Sequence, residues 1–460
     1  MKSSTDNRKT RVFSTMTNQA IPLGTVPKSR LITTLKDPPQ PISDVPTEIN
    51  VINEYPCFYY NIKLYELGNL FSIEQKEGTQ WSRIIIPKIS WGFIVFMSLS
   101  FTINVAKLLW KNYTAEKQVV GTEIFQRSFE VLLGPLLIVE MMTFVHKLYP
   151  MIKQMRATFD TSEERILQQC IRHEKSMFFI SIISANLVIC LGYLPKIFLS
   201  LSYEEITSAK YYYNKAHPEK QLPLVFWLPF DDTVPPTYYF MVVVNIYALV
   251  LTIMLAFGLI SNISTFSIHM RGQYQMLALK LKRAACWSDL KYIIQKHQKL
   301  EEFRRKLEAQ VGSICLLKTF IYNLTITLLM YEFTAVKQVN QESIQVVFEW
   351  VVLLIMFYSF TTSSEYIDEG NDILCNALRS YKWYNINHNW YNENYNWYNT
   401  HILSKDGVKA LQLFTMMCNK PKRLIYYGGT VDISNNLFLA VIKLSYTLFT
   451  ILKHSIHTKQ

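Results

Sequence analysis

The chain has 460 residues, half of them apolar and only 14 of them glycine, which fits neither a Gly-rich nucleotide-binding enzyme nor a disordered polypeptide. A formal net charge of +12 on a chain rich in apolar runs reads as basic loops against anionic lipid, not as a nucleic-acid surface. A polytopic α-helical membrane protein is the class that remains.

Residues 1–83 read as a cytoplasmic N-terminal tail. They are polar, with prolines at positions 22, 27, 38, 39, 41 and 46, so disorder is expected to at least about residue 50. No secretory signal peptide is visible, and the first span must act as the insertion signal. Residues 84–262 carry spans one to four, at about 89–110, 128–149, 176–200 and 237–261. The second holds two acids, Glu130 and Glu140. The triplet Asn112-Tyr113-Thr114 in the first outer loop makes Asn112 the expected glycosylation site. Similar triplets at Asn262 and Asn323 fall at or within spans and read as chance.

Residues 263–311 are expected to form cytoplasmic amphipathic helices. In WSDLKYIIQKHQKLEEFRRKLEAQVGS (Trp287 to Ser313) the residues Leu290, Ile293, Ile294, His297, Leu300, Phe303, Leu307 and Val311 recur every three to four positions. Charges of both signs lie between them, which favours packing against neighbouring subunits over lying on lipid. Spans five and six follow within 312–362, at about 312–334 and 344–362, the latter holding Glu349. Residues 363–432 form the last cytoplasmic loop. Trp383-Tyr384-Asn385, Trp390-Tyr391-Asn392 and Trp397-Tyr398-Asn399 repeat there with period seven. Asparagine is a poor helix former, so this tract reads as repeat expansion into a flexible loop. Asp406 to Pro421 reads as a short apolar-faced helix ended by Asn419 and Pro421.

The seventh span, 433–453, contains NLFLAVIKLSYTLFTILK with Lys443 at its centre. A charge at bilayer depth costs several kcal/mol unless it faces water or a partner. At about 100° per residue, Asn436, Ala440, Lys443, Thr447, Thr450 and His454 fall along one line of the helix. Two readings fit that line: the wall of an aqueous pore, or a polar seam between packed helices.

Lysine and arginine concentrate in the second, fourth and sixth loops and are sparse in the first, third and fifth. The positive-inside rule then places the N-terminus in the cytoplasm and the C-terminus outside, opposite to G-protein-coupled receptors. Of the seven cysteines, Cys57, Cys170, Cys286, Cys375 and Cys418 fall on the cytoplasmic side, and Cys190 and Cys315 lie in spans. No disulfide framework is expected. Walker loops, dinucleotide fingerprints, HExxH and zinc-spaced cysteine pairs are all missing from the sequence, so the chain is not read as an enzyme and no cofactor or metal is expected.

Five blocks in order resemble the insect odorant receptor family. They are LPFD (Leu228 to Asp231), IHMRGQYQMLALKL (Ile268 to Leu281), KHQKLEEF (Lys296 to Phe303), ALRSYKWY (Ala377 to Tyr384), and the C-terminal set Lys443, Ser445, Tyr446, Phe449 and Thr450. The long N-terminus, the Trp-Tyr-Asn tract and the sixth-span exit FYSFTTSSEYIDEGND depart from the family pattern. The C-terminal set does not resemble the obligate co-receptor, which implies a ligand-selective subunit.

The resemblance implies an all-α, seven-transmembrane fold and a ligand-gated, non-selective cation channel in the plasma membrane of sensory neurons. Four subunits, this chain and a co-receptor among them, would surround one pore lined by span seven. Asn436, Lys443, Thr447, Thr450 and His454 would face the conduction path, with Ile451 near an outer constriction. A lysine ring is adverse to cations, so either few copies are present or Lys443 pairs with a carboxylate such as Glu140. Volatile odorants would bind in the outer halves of spans two, three, four and six. Tyr193, Tyr238, Tyr239, Met241, Phe348 and Trp350 are the candidates, although each also suits an interfacial anchor or ordinary packing. A gustatory-type chemoreceptor would carry a different C-terminal signature, and a metabotropic seven-helix receptor would carry Asp-Arg-Tyr and Asn-Pro-x-x-Tyr; neither is present.

Overall fold

A computed structural model describes residues 56–62, 142–194, 231–284, 286–335, 341–381, 405–426 and 431–457, with scattered positions between 89 and 230. The N-terminal tail, most of spans one and two, Asn112, Glu130, Glu140 and the Trp-Tyr-Asn repeat lie outside the described residues.

Long helices dominate. A π-helical turn, Phe144–Leu148, leads into α1, Tyr149–Thr158, and α2 follows as Glu164–Leu187 with a π-helical end at Val188–Tyr193. Next come α3 (Thr237–Arg283), α4 (Trp287–Ala335) and α5 (Gln341–Arg379). Helix α6 spans Lys405–Cys418, and a two-stranded antiparallel ribbon, β1 (Ile425–Tyr426) and β2 (Val431–Asp432), leads to α7, Asn435–His457.

Three of these helices continue well past the spans that hydropathy outlines. At a rise of ~1.5 Å per residue, α3 is about 70 Å long, more than twice a ~30 Å hydrocarbon core. Its apolar half thus runs unbroken into the block Ile268 to Leu281. It stops at Ala284, whose backbone is extended, after a last turn rich in Lys280, Lys282 and Arg283. Those cations suit the negative helix end and also meet acids: Lys280 pairs with Asp160, and Arg283 with Glu163. Helix α4 likewise joins the amphipathic stretch to the apolar one, with a 49° bend between Trp287–Gly312 and Ile314–Met330. The bend falls at the Gly312-Ser313 pair, a common cause of helix kinks.

Among the described residues, Glu164–Leu191 and Val347–Arg379 are long and apolar enough to cross a bilayer, and the bent α4 pair makes a third. Thr237–Val250 and Asn435–Ile451 are shorter apolar helices. Large exposed side chains such as Phe179, Ile183, Phe240, Val243 and Phe320 face outward, as a lipid-exposed surface requires.

The main core lies where α2, α3, α4 and α5 converge, around Phe266, Tyr274, Phe303, Phe357 and Phe360. Helix α3 is its axis. A Cβ on Gly370 would sit 2.8 Å from the Cα of Arg271, and one on Gly272 would sit 2.4 Å from the Cys170 sulfur. Only glycine permits these approaches of α5 and α2 to α3.

Candidate functional site

Helix α7 is anchored on one face. The Asn435 backbone N–H and side-chain amide donate to the two oxygens of Glu365 on α5, at 3.0 and 2.6 Å. Phe438 packs on Phe357 and Tyr358, and Val441 is buried. Ser445 is fully buried, its hydroxyl 2.7 Å from the side-chain oxygen of Asn323 on α4 and 3.2 Å from the Asn323 carbonyl. The Thr327 hydroxyl donates to the Ser445 carbonyl at 3.5 Å. Polar seams of this kind hold membrane helices together.

Asn436, Ala440, Lys443, Thr447, Thr450 and His454 are all exposed. At about 100° per residue their line lies about 180° from the mean direction of Phe438, Val441 and Ser445. Among the described residues, the polar line is therefore not the seam that packs α7 onto its own chain. The Thr447 and Thr450 hydroxyls donate back to the carbonyls of Lys443 and Tyr446, at 2.9 and 2.8 Å, so the line carries satisfied dipoles plus the Lys443 charge. Apolar residues flank it: exposed Leu439 and Tyr446 on one side, exposed Leu444 and Ile451 on the other.

The ligand candidates do not fall in one place. Tyr238 and buried Met241 belong to a small apolar cluster with Met97, Leu222, Ala248 and Leu249. Tyr238 also touches Tyr239 edge-on and lies 5.4 Å under the Lys220 ammonium. Tyr239 is 66 % exposed and projects outward. Half-buried Trp350 packs on the main core, and its indole N–H is buried with no hydrogen-bond partner among the described residues. Phe348 is half-buried beside it in sequence. Tyr193 ends the π-helical turn of α2, and its side chain lies outside the described residues. Two cavities, about 360 and 470 Å³, have none of the other five among the described residues of their walls.

The sequence reading missed the polar interior below the spans. Glu174 on α2 and His269 on α3 are both buried and meet at 2.7 Å. Glu301 on α4 receives Arg304 at 3.0 Å and Lys422 at 3.2 Å. Arg304 also donates to Glu308 and to the Arg423 carbonyl, while Asp368 on α5 accepts from the Arg423 guanidinium and the Lys422 N–H. Burial works against the Glu301 charge, yet these cations hold its carboxyl below the usual range. Beside it, burial first and Lys422 second push His297 down to about 4, against the pull of Glu301. The network ties α4 and α5 to the segment that enters α7. Its sequence signal was the mixed-sign charge pattern in Lys296 to Glu308, which gave no partner.

Residues 131–446 match the family model described as 7tm Odorant receptor. That is more than two thirds of the chain. The protein belongs to the odorant receptor family. Its fold is that of the insect olfactory receptor OR5 from Machilis hrabei, with a TM-score of 0.58 at 12% identity over 85% of this chain and 96% of that one. The same receptor in complex with eugenol matches with a TM-score of 0.57 at 10% identity, over 86% and 97% of the two chains. No curated protein sequence matches. The chain is thus an odorant receptor and a membrane protein.

Proposed function

We propose that this odorant receptor is the ligand-selective subunit of a ligand-gated, non-selective cation channel, working with a co-receptor in a hetero-tetramer of the sensory neuron plasma membrane. Seven spans, a cytoplasmic N-terminus and an outer C-terminus follow from the apolar runs and the lysine and arginine distribution. The observation that carries the channel reading is the placement of the polar line on the exposed face of α7, opposite its anchored face. A membrane helix held by its own chain on one side, with threonines and a lysine on the other, needs water or a partner there. The flanking leucines, Tyr446 and Ile451 suit contact with neighbouring copies of the same helix.

Residues 84–262 and 312–362 would form the transmembrane body, and residues 263–311 and 363–432 the cytoplasmic anchor. An odorant would occupy the outer half near Tyr193, Tyr238, Met241, Phe348 and Trp350, with Tyr239 at its rim. Eugenol in the OR5 complex supports a small, mostly apolar ligand, and the unpartnered Trp350 N–H offers a donor to its oxygen. Binding favours opening only by being tighter in the open state.

The test is heterologous expression with and without a co-receptor, recording odorant-evoked current under G-protein blockade. Current that needs the co-receptor and survives blockade is expected. Current abolished by blockade makes the protein metabotropic.

A further inference from the structure

We propose that the receptor holds a primary-ammonium phospholipid headgroup in the cavity between the Pro56–Tyr60 turn and the middle of α2 at Glu174. The proposal needs only that α2 crosses the bilayer and does not depend on the pore reading.

The cavity has a volume of about 360 Å³. Its floor is a built turn. Phe58 adopts a φ of 60°, which costs a non-glycine residue energy, and is fully buried against Phe266 with ring centres 4.5 Å apart. The Arg156 guanidinium clasps the Cys57 carbonyl through Nε and Nη2, at 3.2 and 2.8 Å. This places a fixed cation on the cavity wall, where an anionic phosphate is favoured.

Glu174 lines the same cavity and is 3 % exposed. Its Oε2 meets His269 at 2.7 Å, while its Oε1 is buried with no hydrogen-bond partner among the described residues. A buried carboxylate oxygen without a donor bears an uncompensated desolvation cost. An N–H of an occupant would relieve it. The third wall is aromatic: Tyr59 meets Tyr60 edge-on at 5.4 Å, and Tyr60 lies 5.4 Å from Phe178. Such ring faces attract ammonium groups. One cation, one carboxylate and aromatic rings around a small volume match a zwitterion with phosphate and ammonium ends.

The surroundings select a lipid as its source. Glu174 sits two residues before the third span, and Phe179, Ile180, Ile183 and Leu187 on α2 are exposed apolar residues leading away from it. Acyl chains attached to a headgroup in the cavity would lie along that stripe. Among zwitterionic headgroups, ethanolamine donates N–H bonds to Glu174 and choline does not.

Native mass spectrometry of the purified full chain, titrated with dioleoyl phosphatidylethanolamine or dioleoyl phosphatidylcholine, tests this. The ethanolamine lipid is expected to bind about tenfold more tightly, which corresponds to ~1.4 kcal/mol. Glu174→Gln should abolish that preference and leave choline-lipid binding unchanged. Tyr60→Ala leaves the Glu174–His269 bond in place, should reduce ethanolamine-lipid binding, and serves if the first variant does not fold. Equal binding of the two lipids by the wild type, or a preference that survives the substitutions, overturns the proposal. Displacement of the lipid by free phosphoethanolamine at equal potency would assign the cavity to a soluble ligand and overturn the lipid assignment.

Discussion

The Ser445 hydroxyl lies 2.7 Å from the side-chain oxygen of Asn323, joining the last helix to α4 on the face opposite Lys443. Because Ser445 is fully buried, its hydroxyl depends on that partner. Ser445→Ala removes a hydrogen bond worth about 1 kcal/mol and leaves the Asn323 oxygen unmet, at a cost of ~1–3 kcal/mol. Ser445→Ala should lower the melting temperature of the purified receptor, as should Asn323→Ala, and the double variant should cost less than the sum of the two.

Lys443 faces outward with Thr447 and Thr450, so removing its charge should act on ions and not on folding. Lys443→Ala is expected to raise single-channel cation conductance or relative calcium permeability, with surface expression unchanged. Lys443→Arg should keep wild-type permeation. Identical currents in all three proteins would remove Lys443 from the conduction path.

His297 gives a pH prediction whose sign is fixed. Its folded value is pushed down to about 4 from the ordinary 6.5 by burial and Lys422. Below pH 6.5 the unfolded chain takes up a proton that folded His297 refuses, so stability falls as pH drops from about 6.5 to about 4 and then levels off. The full effect is on the order of 3 kcal/mol. Thermal unfolding of the purified receptor at pH 7.5 and pH 5 should show a smaller drop for His297→Phe than for the wild type.

Gly370 gives a packing prediction. Its added Cβ would lie 2.8 Å from the Arg271 Cα, a backbone atom that cannot rotate away. Gly370→Ala should destabilise the α3–α5 contact by about 1–3 kcal/mol, seen as reduced surface expression. The same substitution at Gly312, where the nearest neighbour is 3.5 Å away, should be tolerated far better.

Trp350 tests the ligand pocket. Trp350→Phe keeps an aromatic ring and deletes the unpartnered N–H. Responses to odorants with an acceptor oxygen should weaken about tenfold, in line with ~1.4 kcal/mol for one lost bond. Responses to hydrocarbons of similar size should not change. Equal weakening of both series would make Trp350 a packing residue.

Much of this was readable in the sequence where one residue pattern sufficed. The three-to-four spacing of Leu290, Ile293, Ile294, His297, Leu300, Phe303, Leu307 and Val311 marks one helical face; seven of the eight are buried and Ile294 is half-buried. They pack into this chain's own core, however, and not against a neighbouring subunit, as the mixed charges had suggested. The line through Lys443 was legible because helical geometry fixes which residues share a face. What was not legible depends on two distant segments. Nothing local tells Ser445 that Asn323 is its partner, or Glu174 that His269 is. Hydropathy also stops where apolar residues stop, so it cut α3 near residue 261, whereas the hydrogen-bonded helix runs on to Arg283. The six odorant candidates came from resemblance and residue type, and the structure separates those it places in clusters: Tyr238 and Met241 share one apolar cluster, Trp350 packs on another, and Tyr239 is exposed.

The central claim is that the Lys443 face of α7 meets water in an open pore. Single cysteines at Lys443, Thr447 and Thr450, and at Val441 and Ser445 on the anchored face, should be expressed with the co-receptor. Each is then treated during odorant application with a charged methanethiosulfonate reagent, with the wild type as control for its own cysteines. Modification should alter current at the first three positions, faster when odorant is present, and not at the last two. Equal modification on both faces, or none along the Lys443 line, would contradict it.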